Sequence, residues 1–188
     1  MTLSVKLNSK QYLMLGEDPP GVRLELVHGD IVVSPSPAFD HSFVDRQLGF
    51  ILSQHINDND LGELVGDVDT IFDDDDVRRP DIIFIAKART HLRDPAKHGI
   101  WFPPDLCVEI LSPTSADYDQ GDKFELYAKS GVAHYWIVDP AERTFIAYRL
   151  ARKRYVKTAA GHDDQIVRAQ PFPKLDIPLA RLWPRPRD

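Results

Sequence analysis

Two acidic residues lie beside apolar segments of the chain, where ionised side chains are uncommon. Asp81 stands directly before the run "IIFIA", and Glu109 interrupts the run "CVEIL". A buried carboxylate is costly unless it is paired, solvated or bound to a metal. If the two runs form neighbouring strands, both carboxylates reach one end of a sheet, and a divalent cation relieves their mutual repulsion. The pair therefore predicts a Mg²⁺ or Mn²⁺ site that activates water and polarises a phosphate.

A lysine is the third group that this chemistry needs. It usually lies two residues after the carboxylate of the strand, but this sequence has Leu111 there. Lys123 lies in the predicted helix that follows, from which it can reach back to the end of the strand and stabilise negative charge. Asp119 precedes it by four residues, so the two residues can instead form an exposed helical pair, or Asp119 can orient Lys123 toward the site.

Four other residues are weaker candidates for the site. Glu25 points away from the strand face that carries Leu24 and Leu26, which fits either a site role or simple solvent exposure. His41 opens a predicted helix, where it can lie near a phosphate or be an ordinary exposed histidine. Arg78 and Arg79 precede the Asp81 strand, and they can contact a DNA backbone or form a structural ion pair with Glu109.

Hydrophobic periodicity predicts the elements that must position these groups. The first half of the chain is expected to contain a short helix capped by Ser9 and a hairpin around "HGD". A helix capped by Asp40 should follow over residues 41–57, and then a hairpin or strand pair in "GELVGDVDTIF". The run "DDDD" from Asp73 to Asp76 is expected to be a solvated turn because of its dense like charge.

The second half predicts more strands and one helix. Strands are expected in "RRPDIIFIA", "DLCVEILS" and "AHYWIVDP", and a closing hairpin in "TFIAYRL" and "RYVKTA". A helix should run from residue 115 or 116 to 130 and end at Gly131. The proline-rich tail is expected to hold only a short helix near Leu179 to Leu182. This order predicts a mixed α/β fold, with a central sheet flanked by helices, in a single domain over residues 1–188.

Composition limits the classes of protein that the chain can belong to. Its 188 residues are 43% hydrophobic, which excludes a disordered chain, and no apolar run approaches the length of a membrane span. A net charge of −6 argues against a general nucleic-acid coat protein but is compatible with a nuclease that has acidic metal ligands. One cysteine and no apolar N-terminal signal indicate a cytoplasmic protein without disulfides.

The segments "RRPDIIFI", "PDLCVEILSPTS" and "DYDQGDKFELYAKSGVAHYWIVDP" together resemble the Uma-type restriction endonuclease family of the PD-(D/E)XK nuclease superfamily. The resemblance extends from "LELVHGDIVVSP" to the hairpin after "YWIVDP". It implies a restriction-endonuclease-like core, a mixed sheet with a helix on each side. It also implies that Asp81 and Glu109 are metal ligands and that Lys123 is a lysine shifted onto the helix. Glu25 matches the early acidic residue of the family.

These observations lead to two hypotheses of different classes. The first is an endonuclease that uses Mg²⁺ or Mn²⁺ to hydrolyse phosphodiester bonds of DNA, and a homodimer is expected because cleavage of a duplex needs two sites. The second is a nuclease-fold binding or assembly module without cleavage activity, which Leu111, the acidic net charge and the lack of a recognition helix favour. A metal hydrolase for another phosphoester is a third reading.

Overall fold

The structure, a computed structural model, describes residues 6–112 and 121–185. Within these ranges the chain forms three α-helices, twelve strands and two short 3-10 helices. The helices are α1 (Ser9–Leu13), α2 (Phe39–Asp58) and α3 (Asp122–Ser130), and the 3-10 helices are Lys87–Leu92 and Leu179–Arg181. The strands are β1 (Val22–Val27), β2 (Asp30–Pro35), β3 (Gly62–Val65), β4 (Thr70–Asp73), β5 (Asp76–Arg78), β6 (Ile82–Ala86), β7 (Leu106–Ile110), β8 (His134–Asp139), β9 (Thr144–Ala151), β10 (Arg154–His162), β11 (Ile166–Ala169) and β12 (Phe172–Pro178).

A six-stranded mixed sheet forms the centre of the fold. Its strand order is β10-β9-β8-β7-β6-β3. Only the β7–β8 pair is parallel, and the helical connection between these two strands explains why, since parallel neighbours need a crossover. Strands β6 and β7 are antiparallel neighbours, with Ile82 opposite Val108. The start of β6, after Asp81, therefore meets the end of β7, where Glu109 lies.

Each face of this sheet is covered by one helix. The apolar stripe predicted for α2 is buried against one face and consists of Val44, Leu48, Ile51, Leu52 and Ile56. Helix α3 packs Leu126 and Tyr127 on the other face. Successive residues of β6 alternate between the two cores: Ile82 packs with α2, and Ile83 packs with α3. Burial of each such side chain stabilises the fold by about 1.5–3 kcal/mol. Because apolar residues lie on both faces of β6, both faces must be covered by a helix.

A second, four-stranded sheet of order β2-β1-β5-β4 carries Glu25. Strands β1 and β2 form the hairpin predicted around "HGD", with Val27 opposite Asp30. Leu26 is fully buried in a small core with Tyr12 of α1 and Val77 of β5. Because side chains alternate along a strand, Glu25 points the other way, toward the large sheet. This sheet therefore delivers Glu25 to the region where β6 and β7 meet.

Several predicted elements differ from those observed. Helix α1 is capped by Asn8, not Ser9, because the Asn8 side chain accepts the backbone N–H of Gln11 and the Gln11 side chain accepts that of Asn8. Helix α2 begins at Phe39 after Ala38, which makes no side-chain cap, so Asp40 lies inside the first turn. Helix α3 ends at Gly131, as predicted, with a φ of 90°. Its predicted start at residue 115 or 116 lies outside the described residues.

Two larger corrections concern strand pairing. The segment "GELVGDVDTIF" is not a hairpin, because β3 pairs with β6 in the large sheet and β4 pairs with β5 in the small one. The tail contains the predicted short helix at Leu179–Arg181, but it also contains β12, which pairs with the preceding β11 despite its prolines. Pro178 is the last residue of its strand, where its missing N–H costs little. No helix in the described part of the chain is long and apolar enough to cross a membrane.

Candidate active site

Glu109 lies in the interior of the protein, between β7 and α3. It is only 2% exposed. Its Oε2 lies 2.9 Å from Lys123 Nζ, and its Oε1 accepts a hydrogen bond of 2.6 Å from the Tyr127 hydroxyl. Lys123 and Tyr127 are four residues apart on α3, so one face of this helix supplies both donors. Burial, followed by the charge of Glu109, raises the pKa of Tyr127 well above its usual value, so the hydroxyl stays a donor.

Lys123 connects Glu109 to the small sheet. Its Nζ lies 3.7 Å from Oε1 of Glu25, which also accepts the backbone N–H of Arg79 at 2.8 Å. Lys123 and Glu25 are each 6% exposed. The structure therefore brings together three of the predicted residues, Glu109, Lys123 and Glu25, although they come from three separate elements.

Asp81 is the centre of a second group of contacts. Its Oδ2 lies 3.1 Å from His41 Nε2 and accepts the backbone N–H of Ile110 at 2.8 Å, and its Oδ1 lies 3.2 Å from Arg23 Nη1. Burial alone would raise the pKa of the Asp81 carboxyl. The hydrogen bond and charge of His41, the charge of Lys123 and the backbone N–H of Ile110 together lower that pKa instead. Burial likewise opposes the charged form of His41, yet Asp81 raises the pKa of its imidazole.

The two groups of contacts belong to one charged cluster, approached from opposite helices. His41 of α2 contacts Asp81, whereas Lys123 of α3 contacts Glu109. The charge of Lys123 helps to lower the pKa of Asp81, and the charge of Glu109 helps to raise that of Arg23, against the effect of its burial. The pairs therefore lie within electrostatic range of each other, at the adjoining ends of β6 and β7.

Arg23 extends the cluster to the surface. Its Nη2 lies 3.0 Å from Oδ1 of the exposed Asp67 while its Nη1 contacts the buried Asp81. The backbone beside Asp67 approaches the site closely, because a Cβ on Gly66 would lie 2.3 Å from the carbonyl oxygen of Asp81. Only glycine allows this approach, so Gly66 fixes the distance between the loop after β3 and the start of β6.

Substitution of Gly66 tests this close approach. We expect Gly66→Ala to lower the free energy of unfolding by about 1–3 kcal/mol, the usual cost of overpacking. Gly49→Ala is the control, because a Cβ there meets no atom within 4 Å and alanine favours a helix interior. Urea denaturation of both variants gives the comparison. Equal stability of Gly66→Ala and the wild type would contradict the proposed role of Gly66.

Arg78 does not have the exposed position that contact with DNA requires. Arg78 is fully buried, and its Nη2 lies 2.7 Å from Asp76 and 2.8 Å from Asp122. Arg79 is mostly buried and pairs with Asp18 and Asp69. For Arg78 the expectation of a DNA contact is wrong in this structure, because no part of its side chain reaches solvent. Both arginines instead fix the small sheet that carries Glu25.

The acidic run at Asp73 to Asp76 is a turn between β4 and β5, as predicted, but it is not wholly solvated. Asp76 is buried beside Arg78, and its Oδ2 lies 3.2 Å from His28 Nδ1. Atoms of His28, Asp75 and Asp76 lie within 4.8 Å of one another. His28 also lies 3.0 Å from Asp122 at the start of α3. We interpret this group as an ion-pair network that holds the turn.

Sequence reasoning missed two residues that contact the candidate ligands, Tyr127 and Arg23. The spacing of four between Lys123 and Tyr127 places both on one helix face. Arg23 precedes Glu25 by two residues and therefore shares its strand face. Both signals were present in the sequence. Asp119, another candidate, lies outside the described residues.

The donor set is suitable for a hard divalent cation. Glu25, Asp81 and Glu109 offer only oxygen atoms and are 6%, 7% and 2% exposed. Across residues 6–112 and 121–185, the turn at His28 is the only place where three ligand atoms lie within 4.8 Å. A cation at the candidate site would therefore be bound by one or two carboxylates together with water, which is the usual coordination of Mg²⁺ in proteins.

A mixed sheet with a helix on each face, and buried carboxylates at the adjoining ends of two central strands, defines a restriction-endonuclease-like fold. The crystal structure of a putative nuclease belonging to DUF820 from Anabaena variabilis ATCC 29413 matches it with a TM-score of 0.77. The match covers 95% of this chain and 97% of that chain at 21% identity, which establishes a common fold.

The family follows from the sequence match. The family model described as "Uma2: Putative restriction endonuclease" matches residues 9–180, so the chain belongs to this family. No curated protein matches the chain significantly. The fold class and the family expected from the sequence are thus confirmed.

Proposed function

We propose that the protein is a Mg²⁺-dependent endonuclease that hydrolyses phosphodiester bonds of DNA. Mn²⁺ is the alternative cation. The observation that carries the proposal is the buried cluster in which Asp81 and Glu109 occupy adjoining strand ends and Lys123 Nζ lies 2.9 Å from Glu109. Membership of the Uma2 family and the nuclease fold support the same activity.

Each residue of the cluster has a defined task in this proposal. Asp81 and Glu109 would hold the cation, and Glu25 would assist them. When bound, the cation supplies Lewis-acid polarisation of the phosphate and a water of lowered pKa. Lys123 donates to the attacking water or to a phosphate oxygen, where its fixed positive charge stabilises the transition state.

The groups around the ligands keep them in place. Tyr127 holds Oε1 of Glu109, and His41 together with the backbone N–H of Ile110 holds Oδ2 of Asp81. The side chain of Arg23 also extends from this cluster to the exposed Asp67. We assign to Arg23 the contact with a phosphate of the DNA backbone, in exchange for Asp67, because guanidinium groups bind phosphate oxygens in a planar, bidentate manner. It replaces Arg78 in that role.

Cleavage of supercoiled plasmid DNA tests the proposal. We expect the wild-type protein to nick or linearise the plasmid with Mg²⁺ or Mn²⁺ and to leave it intact with EDTA. Isothermal titration calorimetry with the same cations measures binding independently of cleavage. Binding of neither cation at millimolar concentration, together with intact plasmid, would overturn the proposal.

The cluster also favours the second hypothesis, a nuclease-fold module without cleavage activity. Each candidate ligand already contacts a basic side chain, Lys123 for Glu109 and His41 and Arg23 for Asp81. In addition, Leu111 occupies the usual lysine position and is buried. Such a module would bind DNA or a protein partner but leave the plasmid intact under every metal condition, so the same assay separates the two hypotheses.

The proposal includes one domain over residues 1–188 that acts as a homodimer in the cytoplasm. Two cuts are needed to cleave a duplex, and a two-fold dimer presents two equivalent sites to the two strands. The family match over residues 9–180 supports one domain.

A further inference from the structure

A cavity of about 280 Å³ lies beside Asp81, between α2 and β3. Helix α2 forms one wall with Asp45, Arg46, Gly49 and Ser53. These residues are spaced by one to four positions, so they follow one face of the helix. This wall belongs to the same helix as His41, which contacts Asp81 from the preceding turn.

The opposite wall is formed by the end of β3. Leu64, Val65 and Gly66 line it, while Asp81 and Ile82 form the part nearest the candidate active site. The walls are thus apolar on the β3 side and polar on the α2 side. Because Asp81 itself lines the cavity, any group bound there lies directly beside the proposed metal ligand.

Two polar groups of the α2 wall are available to a ligand. Within residues 6–112 and 121–185, the side chains of Asp45 and Ser53 make no hydrogen bond or ion pair. Burial and the nearby Asp81 charge raise the pKa of the Asp45 carboxyl, and the charges of His41, Arg23 and Arg46 partly oppose this. Arg46 is exposed at the rim, where its guanidinium can meet a phosphate.

We propose that this cavity binds one unstacked nucleoside of the DNA strand, the one next to the phosphate that is cleaved. The inference rests on the proposed nuclease function and adds a subsite to it. Enzymes that do chemistry on a base move it out of the stack into a pocket, where its edge is hydrogen-bonded and its faces contact aromatic or apolar side chains. The cavity beside Asp81 offers the same two kinds of contact.

The dimensions and chemistry of the cavity agree with this ligand. The cavity of about 280 Å³ is slightly smaller than the lower end of small-molecule sites, about 300 Å³. This volume limits the ligand to a single nucleoside. Leu64, whose side chain packs toward α2, supplies apolar contact for the face of a base. Asp45 is an acceptor for base N–H groups, as carboxylates are for the amino group of cytosine. Arg46 then contacts the neighbouring phosphate and fixes the strand.

Gly49 offers a way to fill the cavity without disturbing the fold. It lies in the interior of α2, and a Cβ built there meets no atom within 4 Å. A leucine at this position extends into the cavity, and leucine also favours a helix more than glycine does. Gly49→Leu should therefore remain folded while occupying the space of the base. Thermal unfolding of the variant checks this.

The test uses duplex oligonucleotides with a single 2-aminopurine, whose fluorescence increases when it leaves the stack. The label is moved through successive positions, and fluorescence anisotropy in EDTA and in Mg²⁺ verifies that the DNA is bound. We expect wild-type protein to raise the fluorescence at one position and Gly49→Leu to lose that rise. Gln54→Leu, at an exposed position of α2 outside the cavity, is the control and should behave as wild type.

The outcomes separate this inference from the proposed function. Bound DNA without a fluorescence rise at any position would overturn the nucleoside subsite, as would a rise that persists in a folded Gly49→Leu. Plasmid cleavage by wild type in either case would leave the endonuclease proposal intact. A rise that Gly49→Leu abolishes, in protein that does not cleave, would support the subsite in a DNA-binding module.

Discussion

Replacement of Asp81 by asparagine should reduce Mg²⁺-dependent cleavage by at least about 100-fold. A bound metal contributes several kcal/mol of transition-state stabilisation, and about 1.4 kcal/mol corresponds to a factor of ten in rate. Asparagine keeps the size of Asp81 and an oxygen that can accept the backbone N–H of Ile110. It lacks the negative charge that would bind the cation and that pairs with His41 and Arg23. The initial rate of plasmid cleavage gives the effect.

The same substitution also has a structural cost that must be measured separately. Arg23 keeps Asp67 as a partner in this variant. A hydrogen bond to a charged group contributes about 1.5–3 kcal/mol, so urea denaturation should show a folded but less stable variant. Asp176→Asn is the control, since that carboxylate is exposed, lies on β12 and pairs with Arg168. If folded Asp81→Asn cleaves at the wild-type rate, the chemistry does not occur at this cluster.

The sequence was sufficient to predict which strands carry Asp81 and Glu109. Each carboxylate borders a short apolar run, and the runs are buried on both faces, which makes them central strands. Adjacency of β6 and β7 follows because consecutive strands usually neighbour each other. The reach of Lys123 was predictable for a similar reason, because a helix packs on the sheet that it connects.

Pairing between distant segments was not predictable from local patterns. Arg23 and Asp81 are 58 residues apart and lie on the borders of two sheets. Their contact depends on how the loop after β3 crosses from the large sheet to the small one, which the apolar periodicity of "GELVGDVDTIF" does not encode. The path of this loop depends on the close approach of Gly66 to the backbone of Asp81. A glycine in a sequence does not show which part of the chain will pack against it.

The complete burial of Arg78 was also not predictable from its local sequence. An arginine beside a strand can contact DNA or form a structural ion pair, and the local sequence does not decide between the two. Arg78 is fully buried because Asp76 and Asp122 neutralise it and the carbonyl of Leu26 accepts a further hydrogen bond. The acidic turn that supplies Asp76 is therefore partly a counter-charge for this arginine. Density of like charge predicted the turn correctly, but the exposure of each member depends on which opposite charge folds against it.

Replacement of Lys123 by methionine should produce the largest loss of stability. Methionine has a similar length, but it removes the cation 2.9 Å from Glu109 and 3.7 Å from Glu25. Breaking one partner of a buried ion pair costs about 3–5 kcal/mol, because the other charge remains in the interior. Chemical denaturation measures the loss. Lys129→Met on the same helix is the control, since its side chain is 74% exposed and its Nζ lies 3.4 Å from Asp73. An exposed pair of this kind contributes about 0–1 kcal/mol.

The double variant Lys123→Met/Glu109→Gln separates the structural role of the lysine from its role in cleavage. Glutamine removes the uncompensated charge and still accepts the Tyr127 hydroxyl, so stability should recover substantially relative to Lys123→Met alone. Cleavage should remain absent, because neither the ligand charge nor the ammonium group is restored. If Lys123→Met is as stable as Lys129→Met, then the charge of Lys123 is not needed to stabilise the buried Glu109 carboxylate. If the double variant cleaves DNA, the pair acts only in folding, and the catalytic groups must lie elsewhere in the chain.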